Sequence, residues 1–331
     1  MNLAGERVTV TGAGGFIGSH LTELLVRRGA RVRAVVHYNS RDDRGHLDLL
    51  PHEVSDALEV RAIDITDPFA VAAVIADAAV VFHLAALIGI PYSYTAPASY
   101  VATNVSGTLH VLEAARRHGC ARVIHTSTSE VYGTARYTPI DELHPIQAQS
   151  PYSASKASAD HLALSYQRSF GVPVAVLRPF NTYGPRQSAR AVIPTIVSQL
   201  AGGATELRLG ALGPVRDFTF VTDTARAFVA LAEADGAVGG VWNAGNGRGI
   251  SIGDLARRIV ARMGAGTVQI VTEDVRLRPE DSEVHELVAG CARLRELTGW
   301  QPEVTLDDGL DRVIAWVRDH PASYRAASYT V

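Results

Sequence analysis

Tyr152 and Lys156 stand four residues apart in Tyr152-Ser153-Ala154-Ser155-Lys156, a spacing that puts both side chains on one face of a helix. A phenolate at such a place takes the proton of a hydroxyl while hydride leaves the same carbon. An isolated tyrosine titrates at about pH 10, so acting near neutrality requires about 4 kcal/mol of extra stabilisation of the phenolate. A neighbouring ammonium supplies part of it, and the positive ring of an oxidised nicotinamide supplies more. The Tyr/Lys pair recurs by chance in many chains, so its meaning depends on what precedes it.

What precedes it is a glycine turn. Strand Val8-Thr9-Val10 runs into Thr11-Gly12-Ala13-Gly14-Gly15-Phe16-Ile17-Gly18. Gly12 permits a tight turn, Gly15 lets the backbone approach a pyrophosphate, and Gly18 lets the following helix pack closely on the sheet. A glycine triplet alone is a weak signal. Its position after the first strand and at the start of a helix is the context a dinucleotide-binding turn requires. A Thr/Ser-rich strand end, His125-Thr126-Ser127-Thr128-Ser129-Glu130, lies between the turn and the Tyr/Lys pair.

The elements that must position these groups alternate in the first half of the chain. Candidate strands are Arg7–Val10, Arg31–Val36, Leu58–Ala62, Val80–Leu84, Arg122–Thr126 and Val174–Pro179, with helices near Phe16–Arg28, Ala98–His118 and Ser153–Phe170. Continuous apolar strands separated by helices predict an α/β fold, a Rossmann-type doubly wound parallel sheet covered on both faces. After Pro179 glycine and proline become frequent and strands shorten (Phe218–Val221, Val241–Asn243, Val268–Val271), with helices near Ile252–Met263 and Leu306–Asp319. This predicts a dinucleotide-binding domain over 1–180 and a smaller C-terminal substrate-binding lobe, mainly 181–331.

Composition sets the remaining bounds. A chain of 331 residues with 47% hydrophobic and 20% charged residues builds an ordinary buried core. Its net charge of −3 provides no basic stripe for nucleic acid or an anionic membrane. No apolar run is long enough for a membrane helix, and Met1–Arg7 lacks the pattern of a signal peptide, so a cytoplasmic location is expected. Cys120 and Cys291 have neither pairing nor metal-ligand spacing and read as small buried hydrophobes. No metal is expected.

The turn, with two residues between its first two glycines, resembles the extended short-chain dehydrogenase/reductase family. Asp64-Ile65 matches the pair that flanks adenine in that family, and His83-Leu84-Ala85-Ala86 matches the strand end beneath the nicotinamide ribose. The resemblance implies cofactor contacts at Gly12, Gly15, Phe16, Ile17, Gly18, Asp64, Ile65, Leu84, Ala85, Ala86, Tyr152 and Lys156. One segment departs from the pattern of NAD-preferring members. Val36-His37-Tyr38-Asn39-Ser40-Arg41 has no carboxylate until Asp42. Ser40 and Arg41 there suit a 2′-phosphate and favour NADP slightly over NAD, unless the segment is simply a surface loop.

By the same resemblance, Thr128 hydrogen-bonds the reacting hydroxyl and Glu130 removes a C5 proton, as in the nucleotide-sugar 4,6-dehydratase branch. Ser129 occupies a position where many dehydratases carry an aspartate as acid. Arg178-Pro179-Phe180-Asn181 resembles the segment leading to the sugar-nucleotide site, with Asn181 as substrate contact. Arg216 and Arg278 match the arginines that grip the nucleotide diphosphate, in keeping with the paired donors of a guanidinium. The stretches Ile88–Tyr94 and Pro185–Pro194, with Val192 on the substrate side, resemble dehydratases acting on nucleotide-linked N-acetylglucosamine. The implied reaction oxidises C4, eliminates water across C5 and C6, and returns hydride to C6, with tightly bound, recycled NAD(P). UDP-glucuronate decarboxylases and 4-epimerases are the enzymatic rivals. A cofactor-binding regulator without turnover is the other class, and retention of Thr128, Glu130, Tyr152 and Lys156 together argues against it. The helices near 98–118 and 153–170 correspond to a family dimer interface and imply a homodimer, although their apolar faces also suit a core.

Overall fold

The computed structural model describes residues 1–324; residues 325–331 of the second predicted lobe lie outside the described residues. Its first half contains β1 (Arg7–Thr11), β2 (Arg31–His37), β3 (Glu59–Ile63), β4 (Val80–His83), β5 (Arg122–Thr126) and β6 (Val174–Pro179). Between them lie α1 (Phe16–Arg27), α2 (His52–Ser55), α3 (Pro68–Ile75), α4 (Ile90–Thr95), α5 (Pro97–Tyr100), α6 (Gly107–His118) and α7 (Pro151–Phe170). The second half adds β7 (Asn181–Tyr183), β8 (Glu206–Leu209), β9 (Val215–Phe220), β10 (Val241–Ala244), β11 (Gly249–Ser251), β12 (Gln269–Thr272) and β13 (Glu286–Leu287). Its helices are α8 (Val192–Ala201), α9 (Val221–Glu233), α10 (Ile252–Met263), α11 (Ala292–Thr298) and α12 (Leu306–Asp319).

The main sheet has seven parallel strands in the order β10-β6-β5-β4-β1-β2-β3. The strand order reverses between β1 and β4, which opens the crevice at their carboxyl ends where open α/β sheets bind ligands. Alternate residues of the same strand feed two cores. Val80, Phe82 and Ile124 pack with Leu21 and Leu25 of α1 and Phe228 of α9. Val81 and Val123 pack on the other face with Val71 of α3, Val111 of α6 and Tyr166 of α7. Burial on both faces is why these strands read as unbroken apolar runs.

A third core, with Ile196, Leu207, Phe218, Ile259 and Val313, fills the second lobe. There β9 pairs with β11, β13 and β7, and β8 pairs with β12.

Three sequence expectations need correction. Val241–Asn243 belongs to β10, which extends the Rossmann sheet beside β6 rather than completing the second lobe. Val221 opens α9 instead of ending a strand, because Phe220 passes directly into helix with no glycine or proline to mark the junction. The continuous helix expected over Ala98–His118 is divided: a π-helical segment, Val101–Ser106, separates α5 from α6.

Candidate active site

At the glycine turn, Gly12 has φ 72°, and a β-carbon there would lie 2.7 Å from the Ala85 amide nitrogen. A β-carbon on Gly18 would collide with the Gly12 carbonyl. The turn therefore nests against the end of β4 only because both residues are glycine. Thr11 at the end of β1 fixes the neighbouring strand: its Oγ1 accepts from the backbone amides of Leu84 and Ala85, each at 3.2 Å. The same oxygen lies 2.8 Å from Nδ1 of His83, whose Nε2 lies 3.0 Å from Thr108 Oγ1. Complete burial holds His83 well below the usual histidine range, so the ring is neutral.

Asp64, after β3, accepts from both the amide and hydroxyl of Thr66 at 2.8 Å, which holds its carboxyl below the usual range. Ile65 is buried against Gly107, the first residue of α6. These residues all lie at the carboxyl edge of the sheet, the edge at which open α/β sheets bind ligands. Ser40 and Arg41 are exposed. The small crevice at the end of β2 is lined instead by Val36, Tyr38, Asn39, Asp42, Asp43 and Arg44, together with Val60 and Ala62 of β3. Asn39 braces this loop by accepting from the amides of Arg41 and Asp43 at 3.1 Å.

Helix α7 starts cleanly. Ser150 and Ser153 form a reciprocal capping box, and Pro151 occupies the first turn. That start places Tyr152 and Lys156 on the inner face, 8% and 3% exposed. Burial holds the Lys156 ammonium down to about 8, with Asp160 opposing. Burial pushes the Tyr152 phenol above its usual value, and a hydrogen bond from Thr128 works against that rise without reversing it. The Tyr100 ring meets it edge-on, 6.3 Å between centroids.

Thr128 caps the 3-10 turn Ser129–Tyr132, its Oγ1 accepting from the Glu130 amide at 3.2 Å. Ser129 is 3% exposed and the Glu130 side chain 12%. Across the cleft, Nη1 of Arg278 lies 3.8 Å from Glu130 Oε1 and 3.6 Å from Glu283 Oε1. Arg216 Nη2 donates to the same Glu283 oxygen at 3.3 Å. The two arginines and Glu130 thus share one charge cluster, in which Arg216 is buried and the others are partly so. Nη1 of Arg278 is buried without a hydrogen-bond partner, as is Oδ1 of Asn181 on β7. Val192 begins α8 and is partly buried.

Several participants escaped the sequence reading. Glu283 is one; only its place shortly after Arg278-Pro279 pointed to it. Asn104 is another. From the π segment its Oδ1 accepts from the Leu87 amide at 2.8 Å, while its Nδ2 donates to Leu87 O and Ser155 Oγ, both at 2.9 Å. It thereby ties the β4 loop to the catalytic helix, and a mid-helix asparagine was the available signal. Asp160, 1% exposed, is the third: Ser127 Oγ donates to it at 2.7 Å and Arg178 through two nitrogens at 3.1 and 2.9 Å. Arg178 in turn donates to Tyr132 Oη at 2.9 Å, and that hydroxyl donates to Asn243 of β10 at 2.7 Å. Among the described residues no cluster of three metal-ligating side chains occurs.

Residues 9–313 match the model of the family described as GDP-mannose 4,6 dehydratase. A dTDP-glucose 4,6-dehydratase of Streptomyces antibioticus is 36% identical over 320 residues, covering 95% of this chain and 92% of the relative. A dTDP-glucose 4,6-dehydratase from Streptomyces venezuelae, solved with NAD bound, superposes with TM-score 0.83 at 29% identity, covering 96% of this chain and 99% of that one. A UDP-N-acetylglucosamine 4-epimerase from Methanobrevibacter ruminantium, solved with UDP-N-acetylmuramic acid, gives TM-score 0.85 at 28% identity, covering 96% and 99%. Other similar proteins include UDP-glucose 4-epimerases and a UDP-glucuronic acid decarboxylase. With a glycine cradle at the switch point, a buried Tyr/Lys pair and a match across almost its whole length, the chain belongs to the extended short-chain dehydrogenase/reductase family of nucleotide-sugar dehydratases, epimerases and decarboxylases.

Proposed function

We propose that this enzyme is a nucleotide-sugar 4,6-dehydratase, with N-acetylglucosamine as a candidate sugar. The observation that carries the reading is Glu130, a mostly buried carboxylate two residues after Thr128 and faced by Arg278. A 4-epimerase has no step that calls for such a base.

The glycine cradle, Asp64 and the Leu84–Ala86 edge would hold NAD(P), which would supply the hydride acceptor for C4 and the hydride donor for C6. Tyr152, aided by Thr128, takes the C4 hydroxyl proton. Its phenol is raised by burial in the chain alone, so lowering it requires both the Lys156 ammonium and a positive charge brought by the bound cofactor. The C4 ketone acidifies the C5 hydrogen; Glu130 removes it and, after exchange with solvent, returns a proton to C5 once hydride has reached C6. The C6 hydroxyl departs as water, with Ser129 or a water as proton source. Arg216 and Arg278 hold the diphosphate, and Asn181 offers its unpaired oxygen to the nucleotide-sugar.

For the cofactor we now favour NAD. Ser40 and Arg41 remain available to a 2′-phosphate, but the β2 crevice is lined by Asp42 and Asp43 against Arg44, a net negative charge that disfavours one. Mass spectrometry of the cofactor released on denaturation decides between the two. We further propose a homodimer through α6, the π-helical segment before it and α7, where Val101 and Ala102 of that segment and Ala154 of α7 are exposed, with light scattering as its check. No helix among the described residues is long and apolar enough to cross a membrane, and the free cysteines suit the cytoplasm.

One observation favours a second reading. Arg278 beside Glu130 supplies the cation that a C6 carboxylate would need, which is the requirement of a glucuronate decarboxylase. Substrate labelled with deuterium at C4 separates the three activities. A dehydratase moves the label to the C6 methyl group and yields a product lighter by one water. An epimerase returns it to C4, and a decarboxylase releases carbon dioxide. Recovery of the label at C4 with the C6 hydroxyl intact would overturn the dehydratase reading.

A further inference from the structure

Arg186 sits in left-handed backbone, φ 67°, a conformation that non-glycine residues rarely hold without compensation. Its side chain is 9% exposed, and its Nη2 donates to Glu23 Oε2 at 2.8 Å. Nη1 donates to Ser19 Oγ at 3.4 Å. One residue earlier, the Pro185 carbonyl accepts from His20 Nε2 at 3.0 Å. Burial, then the Arg186 charge, hold His20 down to about 4, so the imidazole is a neutral donor.

Ser19, His20 and Glu23 all belong to α1, the helix that opens at the glycine turn. Pro185 and Arg186 belong to the loop between β7, which carries Asn181, and α8, which begins at Val192. On its far side the loop is tied to its own lobe: Gln187 Nε2 donates to Thr182 O at 2.9 Å, and Tyr324 Oη donates to Gln187 O at 3.0 Å. The loop is therefore fastened at one point to the cofactor-binding half and at another to the second lobe. A buried ion pair adds little net stability over apolar packing, but removing one partner strands the other charge. Its benefit is a fixed register between two surfaces.

We propose that the Arg186–Glu23 pair is a latch between the two sites, holding the Asn181–Val192 segment against the cofactor helix, and that Arg186 is a positioning residue for nucleotide-sugar binding. The inference rests on the assignment of the Asn181–Val192 segment, rather than Asn181 alone, to the substrate side.

The test uses the holoenzyme and calorimetric titration with UDP and with dTDP, following whichever the wild type binds more tightly. Arg186→Lys and Glu23→Gln should retain full cofactor content while weakening that nucleotide on the order of tenfold. In turnover the loss should fall on KM, with kcat nearly unchanged, and Arg186→Lys should be the milder of the two because it keeps the charge. Unchanged affinity in Glu23→Gln overturns the latch, whether or not Arg186→Lys folds. Loss of cofactor in proportion to loss of affinity also overturns it, since the pair would then serve the cofactor alone. Asn181→Ala is the control. If it leaves affinity unchanged while the latch variants weaken it, the assignment of Asn181 fails and the latch stands.

Discussion

Nη1 of Arg278 lies 3.8 Å from Oε1 of Glu130, joining the candidate base to one of the two candidate diphosphate anchors. The same guanidinium nitrogen is 3.6 Å from Glu283, which also accepts from Arg216. An arriving diphosphate would compete with both carboxylates for these cations, so substrate binding frees Glu130 as it fills the site. Glu130→Gln should therefore separate the half-reactions. Oxidation at C4 needs no carboxylate, so mixing the variant with substrate should raise absorbance of reduced cofactor without 4-keto-6-deoxy product. Product formation at the wild-type rate would reduce Glu130 to a bystander.

Tyr152→Phe should cost at least about a hundredfold in kcat, the low end of what general acid–base groups contribute. The phosphate contacts remain, so the loss should fall little on KM. Turnover within a few-fold of wild type would remove Tyr152 from the chemistry.

Both arginines should act on binding before chemistry. Each charged hydrogen bond to phosphate is worth roughly 1.5–3 kcal/mol, or about 10- to 150-fold in affinity. Arg216→Ala and Arg278→Ala should each raise KM, and kcat should fall less, because both cations stand near Glu130 and a bound diphosphate would already draw them from it. Equal, unchanged constants in both variants would move the diphosphate elsewhere.

Activity and stability should respond to alkali in opposite senses at Lys156. Burial holds its ammonium down to about 8, so raising pH through about 8 discharges it and withdraws support from the Tyr152 phenolate. The rate of C4 oxidation should fall there, and Lys156→Arg should shift that falling limb to higher pH if the variant folds. In the unfolded chain lysine keeps its proton to about pH 10.4. Between these values the unfolded state binds more protons, so this residue's contribution to stability rises as pH rises. A flat rate profile from pH 7 to about 9 in stopped-flow measurements would contradict the assignment.

The Rossmann sheet was legible because its strands are buried on both faces and its helices carry their own boundary signals, such as the Ser150-Pro151 start of α7. The Tyr/Lys pair and glycine turn were legible because short local spacing defines them. What stayed hidden is what the fold assembles from afar. Glu283 meets Arg216 across 67 residues and Glu130 meets Arg278 across 148, and no local pattern announces such contacts. Tyr152 belongs partly to the same class: spacing reveals the ammonium near it, but only packing reveals how much water has been excluded around the phenol.

β10 gives the molecule a particular history during synthesis. The edge of the Rossmann sheet beside β6 is completed by residues 241–244, and Asn243 closes the hydrogen-bond chain through Tyr132 and Arg178 to Asp160 on the catalytic helix. A nascent chain released only as far as residue 180 therefore exposes an unpaired β6 edge and leaves that polar chain one member short. Domains that fold independently as they leave the ribosome need no later residues. Here the ribosome must deliver about three-quarters of the protein before the first lobe closes, so the two lobes are inseparable as folding units even though they divide the chemistry between them.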